Sequence, residues 1–338
     1  MSYCVITLLV LTMTVSVCIY TTSYANETTT IPPIMIRFHF IRHGETEANR
    51  EGIVLGQTES SLTSGGKHQA VTTGKALKDQ QKRQGFKYWR VYSSDLHRAR
   101  DTAELIVARF SSQEDRSHEN ELPIQIDTLL RERAKGVREG RPKRLSYQEA
   151  LELHQKEEQA VGHSLPLPLL ESEEEVWHRL AEFIGSVVQE ALVLEEKGFF
   201  GDDAFHVEQQ STSTSVENWN PVTNTHGTTG QIRTLHVLAV SHSGSIRILL
   251  NRFLGGDHWT GRETPCSKVD TGMVIPNGSI TTIDVVPTHT THSHHEHPQK
   301  NGVKNDSALS NFWGAINVQL PNTKHLETQH NCSVSHDR

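Results

Sequence analysis

The chain has 338 residues, with 33 Lys and Arg against 40 Asp and Glu for a formal charge of −7, and a hydrophobic fraction of 35%. That length and apolar content suffice for one large α/β core or two smaller domains. The acidic balance excludes a dedicated nucleic-acid binder, whose footprint is basic, so any anionic ligand must be met by a local cluster of cations.

Val5 to Tyr20 is almost continuously apolar or Ser/Thr, and Ser23-Tyr24-Ala25 fits a small-x-small cleavage site. Residues 1–25 therefore read as a secretory signal peptide, which predicts a secretory or extracellular location. Met1 to Cys4 carry no Lys or Arg, which keeps two alternatives open: an uncleaved membrane anchor, or a start codon upstream of a cytosolic enzyme. On the secretory route, Asn26, Asn277, Asn305 and Asn331 become possible glycosylation positions, since each heads an Asn-x-Ser/Thr triplet. Cys4 and Cys18 fall in the leader, leaving Cys266 and Cys332, enough for one disulfide and no framework. Residues 26–33 form a polar, Pro-ended linker.

The apolar run Ile34 to Ile41 predicts a buried strand that ends in Arg42-His43-Gly44. A strand delivering a guanidinium and an imidazole into a Gly turn places both at the carboxyl edge of a sheet, where open α/β sheets bind ligands. Arg42 can grip two oxygens of a phosphate, Gly44 permits close backbone approach, and His43 can be an uncharged nucleophile near neutral pH. A loop from Arg50 to Ser61 carries Gly52, Gly56 and Gln57. Thr63 or Ser64 caps a helix running towards Lys82, and Tyr88 to Tyr92 alternates as a second strand. Ser94 or Asp95 then caps a helix whose Leu96, Ala99, Ala103 and Ile106 keep helical spacing. This puts Arg98 in the first turn, beside unpaired N–H groups, a natural phosphate platform.

Ile124 to Ile126 reads as a short strand leading into Leu130 to Gly140. Seven basic residues between Arg131 and Arg144 (Arg131, Arg133, Lys135, Arg138, Arg141, Lys143, Arg144) predict a second anion site, the outer members being solvated. Leu145 to Ala160 and Glu171 to Lys197 read as helices joined by Leu165-Pro166-Leu167-Pro168, with Glu173, Glu174 and Glu175 suited to the second helix's dipole. After a Ser/Thr/Asn/Gly-rich stretch, Thr234 to Ser241 predicts a buried strand ending in His242-Ser243-Gly244, with a helix from Ser245 to Phe253. A second imidazole at the same sheet edge can donate to a phosphoryl oxygen. Val274 to Ile275 and Ser279 to Val286 are expected to pair as a hairpin about Pro-Asn-Gly, and Phe312 to Leu320 as the last strand. Five His between Thr288 and His297 could bind a transition metal, but their polar low-complexity setting favours a solvated loop.

Arg42-His43-Gly44-Glu45-Thr46 with Asn49, then Leu62-Thr63 with Gly66 and Gln69-Ala70, resembles the histidine phosphatase superfamily, in the branch of phosphoglycerate mutases and fructose-2,6-bisphosphatases. Ser94-Asp95-x-x-Arg98-x-x-x-Thr102 and His242-Ser243-Gly244 are similar to its further motifs. The resemblance implies a three-layer α/β/α sandwich with a mainly parallel sheet over residues 34–320. Disordered insertions are expected at about 201–231 and 287–310, and a loose tail over 321–338. It implies that His43 is the phosphorylated nucleophile, that Glu132 is the acid for the leaving oxygen, and that His242 is the third catalytic group. Arg42, Asn49 and Arg98 would hold the phosphate, with Gln57, Lys135 and Ser243 as further substrate contacts. Neither metal nor cofactor is implied. The partner would be a phosphorylated small molecule, with no nucleic acid, and a membrane only if the N-terminal segment is an uncleaved anchor.

The run Leu130-Arg131-Glu132-Arg133, the insertion before the last catalytic strand and Thr271-Gly272-Met273 resemble the TIGAR-type fructose-2,6-bisphosphatases most. That ranks a phosphosugar phosphatase above a mutase or a broad-specificity phosphatase. Lys135 stands where the family usually carries an aromatic, which leaves the substrate choice open. An inactive scaffold on the same fold is the reading from another class, and the presence of His43, Glu132 and His242 weighs against it.

Overall fold

Strand β1 (Ile34–Arg42) is the axis of the architecture, with a burial pattern that is closed on almost every residue. The structure, a computed structural model, describes residues 34–110, 122–201, 204–208, 232–254, 274–287, 313–322 and 325, all within one unit of the chain. The leader, the His-rich run, Cys266 and Cys332, and most of both insertions lie outside the described residues, as do Asn26, Asn305 and Asn331. Among the described residues no helix is long and apolar enough to cross a membrane.

In chain order β1 is followed by α1 (Glu47–Glu51), α2 (Ser64–Gln84), β2 (Tyr88–Ser93), α3 (His97–Val107) and β3 (Ile124–Ile126). Then come α4 (Tyr147–Val161), α5 (Glu173–Glu196), β4 (His206–Glu208), β5 (Ile232–Ser241), α6 (Ser243–Leu254), β6 (Ile280–Pro287) and β7 (Trp313–Asn322). The described strands form one sheet in the order β3-β2-β5-β1-β6-β7, with β4 on β5. Pairs β3/β2, β2/β5 and β5/β1 are parallel, whereas β1/β6 and β6/β7 are antiparallel. The carboxyl ends of β1, β2, β3 and β5 therefore share one edge.

Alternation along β1 divides the interior between the two faces of the sheet. Ile34, Ile36, Phe38 and Phe40 join Leu180, Phe183, Ile184, Val187 and Val188 of α5 and Ile246, Leu249 and Leu250 of α6 in one core. Ile41 turns to the other side, with Leu77 of α2, Ala99, Ala103 and Ile106 of α3, and Val240. Helices thus cover both faces of a sheet that is parallel through its centre, a three-layer α/β arrangement.

Several local expectations differ from the structure. Helix α3 takes Leu96 as its N-cap, without a side-chain bond, because Asp95 is drawn away to Arg131 and Ser94 Oγ accepts from Leu96 N at 3.3 Å. Helix α6 starts at Ser243, two residues before the predicted Ser245. Val274 and Ile275 are not a strand, because the Ile275 carbonyl is taken by Arg42 Nη1 at 2.5 Å, and β6 pairs with β1 and β7 instead. Residues 206–208, within the predicted disordered insertion, form β4, because β5 begins before the start of β2 and leaves an edge at Ile232–Thr234 to fill. Strand β7 continues to Asn322, so the expected tail is in part sheet. His325 reaches the Gly278 carbonyl at 3.1 Å.

Candidate active site

Register assembles the centre of the site. Parallel pairing sets Arg42 opposite Ser241, so the next residues, His43 and His242, leave their strands side by side with ring centroids 5.2 Å apart. Both imidazoles are buried. His43 Nδ1 lies 2.7 Å from the Gly44 carbonyl, which can only accept, so Nδ1 carries the proton and Nε2 keeps its lone pair. Burial first, then the charges of Arg98 and Arg42, holds the His43 pKa well below the ordinary histidine range. The same burial, with Arg98 next, lowers His242, and neither of its ring nitrogens meets a protein partner.

The turn that carries His43 is braced by backbone contact. A Cβ on Gly44 would overlap the Gly66 carbonyl, and one on Gly66 would overlap the Glu45 carbonyl. Thr63, the N-cap of α2, accepts from Gly66 N at 2.8 Å and donates to Glu45 Oε2 at 2.9 Å, while Gln69 Oε1 accepts from Glu45 N at 2.9 Å. The motif residues around Leu62 to Ala70 are therefore buttresses of the turn. From the other side, Thr102 Oγ1 of α3 accepts from Gly44 N at 3.0 Å and donates to the Arg98 carbonyl at 2.7 Å.

Two guanidiniums flank the imidazoles. Arg98, in the first turn of α3, is 1% exposed and donates from its terminal nitrogens to the Thr58 and Gly56 carbonyls, each at 2.7 Å. Arg42 donates to Ile275 O and, at 3.5 Å, to Asn49 Oδ1. The Nε of each arginine is buried without a protein partner. Burial lowers both, Arg42 to about 10, while Glu132 pulls the other way. Asn49 caps α1 through its Oδ1, which accepts from Thr46 N at 3.4 Å, so its amide NH₂ is the end available to donate.

Glu132 comes from the loop after β3. Its Oε1 accepts from Arg133 N at 2.7 Å and its Oε2 from Gly244 N at 2.9 Å, with Ser243 Oγ at 3.5 Å. A Cβ on Gly244 would overlap Glu132 Oε1, so α6 can meet this carboxylate only through glycine. Ser241 and Ser245 hold the same loop by donating to the Leu130 and Arg131 carbonyls at 2.8 and 2.6 Å.

The remaining predicted residues divide. Gln57 is committed to the loop: its amide donates to the Glu132 carbonyl and Glu171, and accepts from Arg131. Lys135 is half-buried, and its pKa is lowered by burial against the opposing pull of Glu132, with Arg133 and Arg247 adding repulsion. Three of the seven residues of the expected anion site are spent on acids, and Arg138 donates to the Lys143 carbonyl at 3.0 Å. Arg131 pairs with Asp95 at 2.6 Å, Arg133 with Glu173 at 3.0 Å and Arg141 with Glu157 at 2.8 Å. Arg247 of α6 was not singled out, although it lies one turn beyond Ser243, the helical spacing that puts it on the same side. Glu171, which accepts from Ala134 N at 2.7 Å and pairs with Arg179 at 3.0 Å, carried no local signal at all. Among the described residues no group of three or more His, Cys, Asp or Glu is arranged to hold a metal ion.

A family model of the histidine phosphatase superfamily (branch 1) matches residues 38–192. The fructose-2,6-bisphosphatase TIGAR of Bos taurus is 32% identical over 255 residues, 71% of this chain and 84% of that protein. Its counterpart TIGAR B of Danio rerio is 38% identical over 104 residues, which is 30% of this chain and only 36% of that protein. A broad-specificity phosphatase of Saccharomyces cerevisiae is 37% identical over 106 residues, 31% of this chain and 41% of that one.

Proposed function

This chain belongs to the histidine phosphatase superfamily, and we propose that it hydrolyses phosphomonoesters through a phosphohistidine formed on His43 Nε2. The observation that carries this reading is the fixed tautomer of His43, whose Nε2 lone pair stands among three groups that each carry a buried, unpartnered nitrogen: Arg42, Arg98 and His242. Such donors in a water-poor setting favour an anion with several oxygens, and favour it most when charge builds in the transition state.

In the first step Nε2 bonds to phosphorus as the ester P–O bond breaks, and the leaving oxygen takes a proton from the Glu132 carboxyl group. Arg42, Arg98, His242 and the Asn49 amide hold the non-bridging oxygens. In the second step water attacks phosphorus and gives its proton to the Glu132 carboxylate. The P–N bond breaks, inorganic phosphate leaves and the Nε2 lone pair is restored. Fixed guanidiniums do the charge neutralisation that magnesium performs in other phosphoryl transfers.

The substrate we favour is a phosphosugar such as fructose 2,6-bisphosphate. Support comes from the similarity to the bovine bisphosphatase over most of its length and from Lys135 and Arg247, two half-buried cations on the Glu132 side of the site. A second phosphate would be met there. The likeness to the yeast enzyme keeps broad specificity as the second reading.

The test compares the chain with His43→Ala on fructose 2,6-bisphosphate, 3-phosphoglycerate and an aryl phosphate, all in EDTA. Turnover with an acid-labile, base-stable phosphoprotein is expected, lost in the variant. Equal activity in His43→Ala, or none with any ester, would overturn the mechanism. A Lys135→Ala loss confined to the bisphosphate would support the phosphosugar reading, and equal losses on all three would favour the second.

A further inference from the structure

We propose that Asn277 is a positioning residue for the nucleophile, acting through the backbone of His43 and the amide of Asn49; this rests on the phosphohistidine reading. Asn277 lies in the turn before β6, far from every other site residue in sequence, and neither its Asn-x-Ser triplet nor its Pro-Asn-Gly turn signals this role. Its Nδ2 donates to the His43 carbonyl at 3.0 Å and to Asn49 Oδ1 at 3.2 Å. The orientation of the amide follows from its partners. The His43 carbonyl can only accept, and Asn49 Oδ1 already accepts from Thr46 N and Arg42, so both hydrogens of the Asn277 amide point into the site.

Neighbouring backbone makes this turn a second wall for the nucleophile. Gly278 N donates to the Arg42 carbonyl at 3.0 Å, and Arg42 N donates to the Ser279 carbonyl at 3.2 Å. With Ile275 O on the Arg42 guanidinium, the loop meets the arginine at both its main chain and its side chain. Gly278, at φ 71°, supplies the left-handed turn that lets Asn277 reach back. Behind it, Thr73 Oγ1 donates to the Gly278 carbonyl at 3.0 Å. One amide thus ties the residue that attacks phosphorus to a residue that orients its oxygens. In-line attack depends on that alignment, where an error of about 1 Å can cost about a hundredfold in rate. The Asn277-Gly278-Ser279 triplet has a further consequence: with both amide hydrogens engaged, a glycan on Nδ2 and this arrangement exclude each other.

Asn277→Asp keeps the shape and replaces two donors by acceptors, and Asn277→Ala removes the contact. For both, kcat is expected to fall about 10- to 100-fold with KM changed less than about threefold, and phosphohistidine formation should slow in parallel. The ratio of Asp-variant to Ala-variant activity should rise as pH falls towards about 4, where a protonated carboxyl regains one donor. A purely structural residue would give no such rise. Hydrogen exchange reads the contact without catalysis: protection should drop over residues 42–49 and hold in α6. Unchanged exchange over 42–49, or wild-type kcat in both variants, would overturn the proposal. A wild-type enzyme that forms no phosphohistidine would instead sink the mechanism, leaving the exchange result to judge Asn277.

Discussion

The chemistry at the level of single residues turns on protonation. His43 and His242 emerge from adjacent parallel strands into a buried pocket with two arginines, and burial with those charges holds both imidazoles neutral. The sign of the effect is definite. A histidine whose pKa is depressed stays uncharged as pH falls through 6.5, so His43 keeps its lone pair well into acid. We therefore expect kcat/KM to show no loss of activity with an apparent pKa near 6.5, measured on an aryl phosphate whose own ionisation lies outside that window. An acid limb near 6.5 in the wild-type enzyme would show that the nucleophile is not held neutral in this way, whereas Arg98→Gln, which removes a charge that lowers His43, should move any acid limb to higher pH.

At the scale of elements, the site is a set of loops pinned by side chains from their neighbours. Helix α3 brings the charge of Arg98 to bear on His43 and, one turn later, ties Thr102 to the turn that carries His43. Thr102→Val removes the acceptor for a buried Gly44 N–H, which costs about 1–3 kcal/mol for the unsatisfied donor. The unfolding free energy in urea should fall by that amount, and kcat should fall as well because Arg98 and His43 lose their common support. Wild-type stability in this variant would mean that the turn finds another acceptor. Ionic latches do similar work for the acid loop: Arg131 to Asp95 and Arg179 to Glu171 are both shorter than or equal to 3.0 Å.

On the scale of the whole molecule, the β1 face turned towards α2 and α3 carries an unusual load. His39 Nε2 and His236 Nδ1 lie 3.0 Å apart, and Phe86 stacks on His236 with centroids 3.6 Å apart. A bond between two imidazoles needs one donor and one acceptor, so the two rings cannot both be charged. Burial accordingly lowers His39 to about 3 and His236 to about 2, with Arg37 adding to both. The unfolded chain takes up protons below pH 6.5 and the folded one does not. This stability is present above 6.5 and is lost as pH falls towards 3, at about 1.4 kcal/mol per pH unit for each imidazole. Replacing both by Leu should flatten the decline in unfolding free energy between pH 6 and 4, to be read from urea melts. An unaltered slope would place the acid lability elsewhere.

Much of this protein was legible locally. Ile34 to Ile41 reads as strand from its apolar run, the helix ending at Glu196 from its period, and the arginine of α3 from its place after a strand, because each signal lies within a few residues of its cause. Arg42, His43, Arg98, Glu132 and His242 could be nominated from motif and resemblance, and the structure brings them together. What the chain could not disclose alone were contacts between distant segments. The unpaired edge of β5 recruits residues 206–208 from a stretch with no apolar period. The Ile275 carbonyl is claimed by Arg42, which prevents the predicted hairpin. The basic run around Arg131 looked like an anion site until its acids arrived from α4, α5 and the start of α3. Residue type and spacing determined which groups could do chemistry; only tertiary packing decided which of them remained unpartnered, because burial and pairing are properties of neighbours that the chain brings in from afar.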